Sequence, residues 1–200
     1  AIRYILLDTT NPNATLIFPS NNTYNASTSQ NFTFNVSDNL GVKNATLYIY
    51  NETSLFNQTN TNFIVNTLQK TVGIVVTLVD GIYKWFVKAW DWAGNSFQTG
   101  NYTLTIDTTY PQISYNSNTD TNGTYKQTGD IFINITASDT NKDTVKLEWQ
   151  GINETFDNSS GNYYWENKTG LAEGTYNFYA WINDSANNFN STLTRTLYID

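Results

Sequence analysis

Hydrophobic and polar residues alternate along many short segments of this chain. In the predicted second strand, Phe32, Phe34 and Val36 occupy one phase, and the Asn, Thr and Ser residues between them occupy the other. Residues 83–90 and 176–183 alternate in the same way. Because successive side chains of a strand point to opposite faces, this pattern predicts strands that bury one face. About seven such segments in each half, separated by clusters of turn-forming residues, predict an all-β fold without an amphipathic helix.

The two halves of the sequence are copies of each other. Residues 80–95 return as residues 173–188, and both copies begin with an acidic residue, Gly, any residue and Tyr, and end with Asn. Residues 7–12 and 106–111 share a boundary element, Leu/Ile-Asp-Thr-Thr-x-Pro. Several matched segments in the same order indicate a tandem repeat.

Domain boundaries follow from this alignment. We predict one complete domain over residues 8–106 and a second over residues 107–200. Residues 1–7 belong to a segment that matches residues 195–200, so we interpret them as the final strand of a preceding repeat in a longer array. The alternative is that this segment completes a neighbouring subunit by strand addition. Each predicted domain already has its own final strand, which favours the array.

A local motif precedes the sixth strand of each predicted domain. Residues 78–83 and 171–176 share the pattern Leu-x-x-Gly-x-Tyr, which resembles the tyrosine corner of β-sandwiches. We therefore expect Tyr83 and Tyr176 to bury their rings and to form hydrogen bonds with the backbone a few residues upstream.

The sixth strand ends in a turn that begins with Asp91 in the first domain and Asp184 in the second. We expect each carboxylate to accept hydrogen bonds from backbone N–H groups of its turn, and Gly94 to adopt a positive φ. Asn187 stands at the position of Gly94 and tolerates the same left-handed conformation. This substitution indicates a turn rather than a catalytic role.

The combined pattern resembles a known family. Gly-x-Tyr-x-Trp/Phe, then Asp-x-Ala-Gly/Asn-Asn, then a strand ending in Ile-Asp-Thr-Thr-x-Pro, is similar to the tandem Ig-like repeats of bacterial and archaeal cell-surface proteins. The resemblance covers nearly the whole chain. It implies two tandem immunoglobulin-like β-sandwiches of about seven strands each and, by analogy, a role in a stalk, layer or fibre.

Sequence motifs for N-glycosylation are dense. Sixteen Asn-x-Ser/Thr sequons, none with Pro in the middle, place candidate glycans at Asn13, Asn21, Asn25, Asn31, Asn35, Asn44, Asn51, Asn57, Asn101, Asn122, Asn134, Asn153, Asn158, Asn167, Asn183 and Asn190. Asn is a poor strand former, so 30 Asn residues in a β protein need a separate reason. A sequon has the two-residue period of a strand and fits its solvent face. The alternative is that an Asn- and Thr-rich outer face produces such motifs by its own alternation.

Composition excludes several classes of function. The chain has no His and no Cys, and its formal net charge is −7. Without these residues, Ser–His triads, His metal sites, disulfides and thiolate sites are excluded. No cluster of basic residues suits nucleic acid or an anionic membrane, and no apolar stretch approaches the roughly 18 residues of a membrane span. We therefore predict neither an enzyme nor a cofactor, no nucleic-acid partner and no membrane-embedded segment here.

Acidic residues recur at corresponding strand ends and turns of the two repeats. The recurring pairs are Asp38/Asp139, Asp80/Glu173, Asp91/Asp184 and Asp107/Asp200. We interpret them as structural caps, because a residue that is repeated at every equivalent turn serves the fold. The alternative is calcium at the domain junction, although residues 107–111 lack the clustered carboxylates that Ca²⁺ prefers.

Large aromatic residues occupy the outward phase of the predicted sixth strand and the turn after it. They are Phe86, Trp90, Trp92, Tyr179 and Trp181. They either lie under a neighbouring loop or form a contact patch for another subunit or for a glycan stacked on a ring.

These features predict a structural repeat unit of an extracellular glycoprotein assembly, such as a surface filament, an S-layer or a stalk of head-to-tail Ig-like domains. The expected partners are other copies of the protein, adjacent Ig-like repeats and N-linked glycans. Dense sequons without cysteine favour an archaeal cell surface. The alternative is an adhesin or carbohydrate-binding module that uses the aromatic residues. A third hypothesis, a spacer attached to an enzyme, requires a catalytic domain outside these residues.

Overall fold

The structure of the protein is a computed structural model that describes residues 7–200. These residues form nineteen strands and no helix, which confirms the all-β prediction. The chain divides into two compact units, Ala1–Thr108 (unit 1) and Thr109–Asp200 (unit 2). The predicted strand of a preceding repeat, residues 1–7, lies outside the described residues except for Leu7. Over the described range, no helix is present that could cross a membrane.

Unit 1 is a sandwich of two sheets. Its strands within the described range are β1 (Asn13–Phe18), β2 (Thr23–Asn25), β3 (Ser29–Ser37), β4 (Val42–Tyr50), β5 (Leu55–Asn62), β6 (Gln69–Thr77), β7 (Gly81–Asp91), β8 (Ser96–Gln98) and β9 (Tyr102–Ile106). One sheet has the order β1-β3-β6, and the other has the order β2-β9-β7-β4-β5, with β8 also paired to β7. Apart from the parallel pair of β2 and β9, these pairs are antiparallel.

The core of unit 1 lies between its two sheets, because the inward-facing residues of β3 and β7 are apolar. Phe32 and Phe34 of β3 and Trp85 of β7 are fully buried. The Phe32 and Trp85 rings meet edge to face, with centroids 5.2 Å apart. Such rings contribute most to closing the sandwich, since truncating a buried Phe or Trp to Ala costs about 3–5 kcal/mol.

Unit 2 has the same two-sheet architecture. Its strands are β10 (Gln112–Tyr115), β11 (Tyr125–Lys126), β12 (Asp130–Ser138), β13 (Lys142–Trp149), β14 (Ile152–Glu154), β15 (Asn158–Ser160), β16 (Tyr163–Thr169), β17 (Gly174–Asp184), β18 (Phe189–Ser191) and β19 (Arg195–Ile199). One sheet has the order β10-β12-β16-β15, and the other has the order β11-β19-β17-β13-β14, with β18 also paired to β17. Its core includes Ile131, Ile133 and Ile135 of β12, packed with Leu147 and Phe178.

The first and last strands of each unit are split into two pieces. These pieces are β1/β2 and β8/β9 in unit 1, and β10/β11 and β18/β19 in unit 2. With the pieces joined, unit 1 has the predicted seven strands and unit 2 has eight. The additional strand in unit 2 is the short β15, which pairs with the edge of β16.

The structure confirms the hydrogen bond of the tyrosine corner in both units, and the predicted burial of the ring in unit 1. The Tyr83 hydroxyl donates a hydrogen bond to the Val79 carbonyl at 3.0 Å. The Tyr176 hydroxyl donates to the Ala172 carbonyl at 2.9 Å. Each bond ties the loop before β7 or β17 to the strand that follows it, and the ring of Tyr83 is buried while that of Tyr176 is partly exposed.

The predicted aspartate turns are also confirmed. Asp91 is fully buried, and its Oδ1 accepts hydrogen bonds from the backbone N–H groups of Gly94 at 2.6 Å and Asn95 at 2.8 Å. Asp184 accepts two backbone N–H bonds in the corresponding turn of unit 2. The φ angles are 99° at Gly94 and 67° at Asn187, so both residues adopt the left-handed conformation that the sequence predicted.

Candidate functional site

The candidate glycosylation sites lie at the surface of both units. None of the sixteen sequon asparagines is buried. The eight that are exposed are Asn13, Asn21, Asn31, Asn101, Asn122, Asn153, Asn158 and Asn167, and the other eight are partly exposed. Several lie on strands, where the buried residues alternate with them, as in β3 and β12. This placement is the geometry that a glycosyltransferase requires, since the acceptor nitrogen must be reachable from solvent.

Some sequon asparagines also take part in the hydrogen bonding of the fold. Asn21 Oδ1 accepts a bond from the Thr103 N–H at 2.8 Å, and Asn122 Oδ1 accepts one from the Thr196 N–H at 2.7 Å, at corresponding positions of the two units. In both cases the amide oxygen is used, while a sugar is attached to the nitrogen. These structural bonds are therefore compatible with glycosylation.

Two sequons are less open than their strand phase predicts. Thr46, the third residue of the Asn44 sequon, lies on the outer face of β4 but is only 4% exposed. Its hydroxyl donates to Asn60 Oδ1 at 2.9 Å, and Asn44 Oδ1 is buried without a hydrogen-bond partner. Asn190 Nδ2, the atom that would carry the sugar, donates to the Pro111 carbonyl at 2.9 Å. These sites are less accessible than the exposed ones.

The aromatic residues predicted on β7 form part of a larger cluster on the outer face of its sheet. Phe86 stacks on Tyr48, with ring centroids 4.9 Å apart, and on Tyr50 at 6.0 Å. The Lys88 ammonium lies 5.0 Å from the Trp90 ring centroid. The two tyrosines are not among the predicted contact residues, although their alternation with Leu47 and Ile49 on β4 is visible in the sequence. The Phe86 ring thus contacts Tyr48 and Tyr50, and the Trp90 ring contacts Lys88.

Trp92 lies apart from this cluster, in the turn after β7. It is 48% exposed, and the Lys43 ammonium lies 5.9 Å from its ring centroid. Among the predicted contact residues, it therefore presents the largest exposed fraction to solvent.

In unit 2, Tyr179 and Trp181 lie on the outer face of β17 and are both partly exposed. Trp181 Nε1 donates a hydrogen bond to Asn153 Oδ1 at 2.7 Å, and the Trp181 ring lies 5.9 Å from that of Phe189. Asn153 is itself a sequon asparagine. The aromatic residues and the candidate glycosylation sites therefore share one surface here.

Three carboxylates come together in unit 1. Oxygen atoms of Asp8, Asp38 and Asp91 lie within 4.8 Å of one another, and oxygen donors are the ligands that Ca²⁺ prefers. Each aspartate also accepts backbone N–H bonds from its own turn, at 3.1 Å to Asp8 and at 2.7 Å and 3.0 Å to Asp38. These bonds agree with the interpretation as structural caps.

A charged cluster in unit 2 was not predicted from the sequence. Glu166 of β16 is buried, and the Lys168 ammonium forms ion pairs with Glu166 and, at 2.5 Å, with Glu154. The same ammonium lies 5.5 Å from the Trp149 ring centroid. Burial disfavours the charged ammonium, but its hydrogen bonds to the two carboxylates outweigh this effect and raise the pKa of Lys168 above its ordinary value. The Lys168–Glu154 ion pair links β16 of one sheet to β14 of the other.

No protein-family model and no curated protein matches this chain. Similar solved structures include the fibronectin(III)-like modules of Clostridium thermocellum CbhA, 14% identical over 93% of this chain and 92% of that chain, with a TM-score of 0.46. A 1.5-MDa bacterial ice-binding adhesin is 15% identical over 96% of this chain and 66% of that chain, with a TM-score of 0.38. A chimeric titin Z1Z2 is 13% identical over 96% of this chain and 99% of that chain, with a TM-score of 0.35. The assignment as two tandem β-sandwiches rests on the strand order and the two cores described above.

Proposed function

We propose that the chain is a structural repeat segment of an extracellular glycoprotein assembly, such as a surface filament, an S-layer or a stalk. Its partners in this proposal are other copies of the protein or adjacent Ig-like repeats, and N-linked glycans cover much of its surface. The sequon density without cysteine favours an archaeal cell surface.

The observation that carries the proposal is the placement of the sequons. All sixteen asparagines reach the surface, and those on β1, β3, β12, β16 and β17 occupy the phase opposite the buried residues. Asn has a low propensity for strands, so a strand face rich in Asn needs an explanation. Attached sugars supply one, because they keep an exposed sheet soluble and shield it from proteases. The two separate cores support a spacer or scaffold role, since each unit buries its own apolar residues.

Electron microscopy of native material tests the assembly part of the proposal. We expect ordered polymers or layers, in which the protein is labelled by an antibody against this segment. Isolated monomers in native material, together with saturable binding to a glycan array, would instead favour an adhesin.

The exposure of Trp92 favours the adhesin or carbohydrate-binding module as the second candidate. An indole with half of its surface in water at a turn suits stacking on a sugar. In that case Trp92→Ala abolishes binding to the glycan array, whereas Tyr110→Ala, which removes another exposed ring, leaves binding unchanged.

A further inference from the structure

The outer face of the sheet β10-β12-β16-β15 alternates aromatic rings with sequon asparagines. Phe132 and Asn134 of β12 point outward, because the residues on either side of each are buried. Trp165 and Asn167 occupy the outward phase of β16, and Asn158 lies on β15. We call these five residues the Trp165 face.

The pairing register places every asparagine of the Trp165 face beside a ring. Asn134 pairs with Trp165, and Phe132 pairs with Asn167. Asn158 pairs with Trp165 from the opposite side. Directly opposed residues of an antiparallel pair have Cβ atoms about 4.5–5.5 Å apart. A sugar attached to one of these asparagines is therefore close enough to contact the aromatic ring opposite it. Trp165 therefore has a sequon asparagine on both neighbouring strands.

Both rings reach the surface of unit 2. Phe132 and Trp165 are partly exposed, and within the described residues neither has another ring or a cation over its face. Asn134 Oδ1 accepts a hydrogen bond from Asn116 Nδ2 at 2.7 Å. This bond fixes the orientation of the Asn134 amide by its oxygen and leaves the nitrogen for attachment. Asn158 and Asn167 are exposed.

We propose that the Trp165 face binds the protein's own N-linked sugars, with the first sugar rings on Asn134, Asn158 and Asn167 packed against Trp165 and Phe132. The inference rests on the glycosylation in the proposed function. The ligand is a pyranose joined through C1 to Nδ2, and its axial C–H groups supply an apolar surface that an aromatic ring buries. Attachment forms the C1–Nδ2 bond, breaks the bond from C1 to a phosphate oxygen of a lipid-linked donor, and transfers the amide proton to a base.

The corresponding sheet of unit 1 provides an internal comparison. On β3, the sequon residues Asn31 and Asn35 also face outward, but they pair with Val75 and Thr71 of β6. No ring lies opposite either asparagine in that register. On the other side of β3, Asn35 pairs with Thr15 of β1, and the ring of Phe18 pairs with Thr33, between the two asparagines. Glycans on β3 therefore meet a ring only diagonally, whereas those of the Trp165 face are expected to pack on a directly opposed ring.

Nuclear magnetic resonance of the full chain tests the inference, with the protein produced in a host that attaches ¹³C-labelled N-glycans. We expect ring currents to shift protons of sugars on the Trp165 face upfield and to shift those on Asn31 and Asn35 less. Trp165→Leu is expected to abolish the shift, and Trp165→Phe to retain a smaller one. The control Tyr110→Leu removes an exposed ring elsewhere and is expected to change nothing.

Thermal unfolding gives a second readout that does not depend on resonance assignment. The wild-type chain with glycans is expected to have a higher Tm than the same chain from a host without N-glycosylation. We expect Trp165→Leu to reduce this difference and Tyr110→Leu to preserve it. Comparing each variant with its own unglycosylated form removes the direct effect of the substitution on folding.

The outcomes separate this inference from the proposed function. Sugars on Asn134, Asn158 and Asn167 without upfield shifts, or with shifts that survive Trp165→Leu, would overturn the inference and leave glycosylation in place. Unmodified asparagines at these three positions would overturn it as well. Sugar-free peptides throughout the chain would overturn the proposed function too.

Discussion

Replacing Tyr83 by Phe removes one hydroxyl from the tyrosine corner of unit 1 and keeps the ring that fills the core. Tyr83 is 2% exposed, its hydroxyl donates to the Val79 carbonyl at 3.0 Å, and the Val79 N–H approaches it at 3.3 Å. An intramolecular hydrogen bond contributes about 1 kcal/mol net, and a buried group left unpaired costs about 1–3 kcal/mol. Val79 is exposed, so water replaces part of the lost bonding. We therefore expect Tyr83→Phe to lower the free energy of unfolding by about 1–1.5 kcal/mol.

Differential scanning calorimetry of the full chain measures this effect. For a domain of about 100 residues, a loss of 1 kcal/mol lowers Tm by roughly 4–8 °C. Tyr176→Phe is expected to have a smaller effect, because its ring is partly exposed and its hydroxyl makes one bond, to the Ala172 carbonyl at 2.9 Å. Tyr110→Phe is the control, since Tyr110 is 61% exposed and such a surface change stays within about 0.5 kcal/mol.

The comparison among the three variants can refute the reasoning. If Tyr83→Phe melts like Tyr110→Phe, the buried hydroxyl contributes nothing to stability. If Tyr83→Phe and Tyr176→Phe lose the same amount, burial does not decide the strength of the corner.

Three further predictions follow from the turns and the charged cluster. Asp91→Ala removes a buried carboxylate that accepts two backbone N–H bonds, and we expect it to lower the free energy of unfolding in urea by roughly 1.5–3 kcal/mol. An unchanged urea midpoint would contradict the role of Asp91 as a structural cap. Asn187 has a φ of 67°, which strains a β-branched residue, so we expect Asn187→Val to lower the free energy of unfolding by about 1–2 kcal/mol in the same assay and Asn187→Gly to be tolerated. Equal stability of the two variants would contradict backbone strain at this position. The raised pKa of Lys168 means that its contribution is fully present below the unfolded-state pKa of about 10.4 and is lost as pH rises through the folded-state pKa. We therefore expect the free energy of unfolding to fall less for Lys168→Met than for the wild type between neutral and strongly alkaline pH. Parallel profiles of unfolding free energy against pH would contradict the raised pKa of Lys168.

Local features of the fold could be predicted from the sequence because each depends on residues close together in the chain. The alternation of Phe32 and Phe34 with polar residues fixed the inward face of β3. The spacing of Gly and Tyr predicted the corner at Tyr83, and Asp91 with Gly94 predicted the turn after β7.

Features that depend on strand pairing could not be predicted in this way. Glu166 is buried beside Lys168 of the same strand, and the Lys168 ammonium also pairs with Glu154 of β14, which β16 reaches only through the fold. The proximity of Asn134 to Trp165 depends on the register between β12 and β16, which strand alternation alone does not specify.

Peptide mass spectrometry of the native protein, with the occupancy of each sequon quantified, tests the central claim most directly. We expect glycans on most of the sixteen asparagines, with high occupancy at exposed sites such as Asn158 and Asn167 and lower occupancy at Asn44 and Asn190. The controls are the asparagines outside sequons, such as Asn95 and Asn177, which are expected to be unmodified. Unmodified peptides throughout the chain would contradict the account.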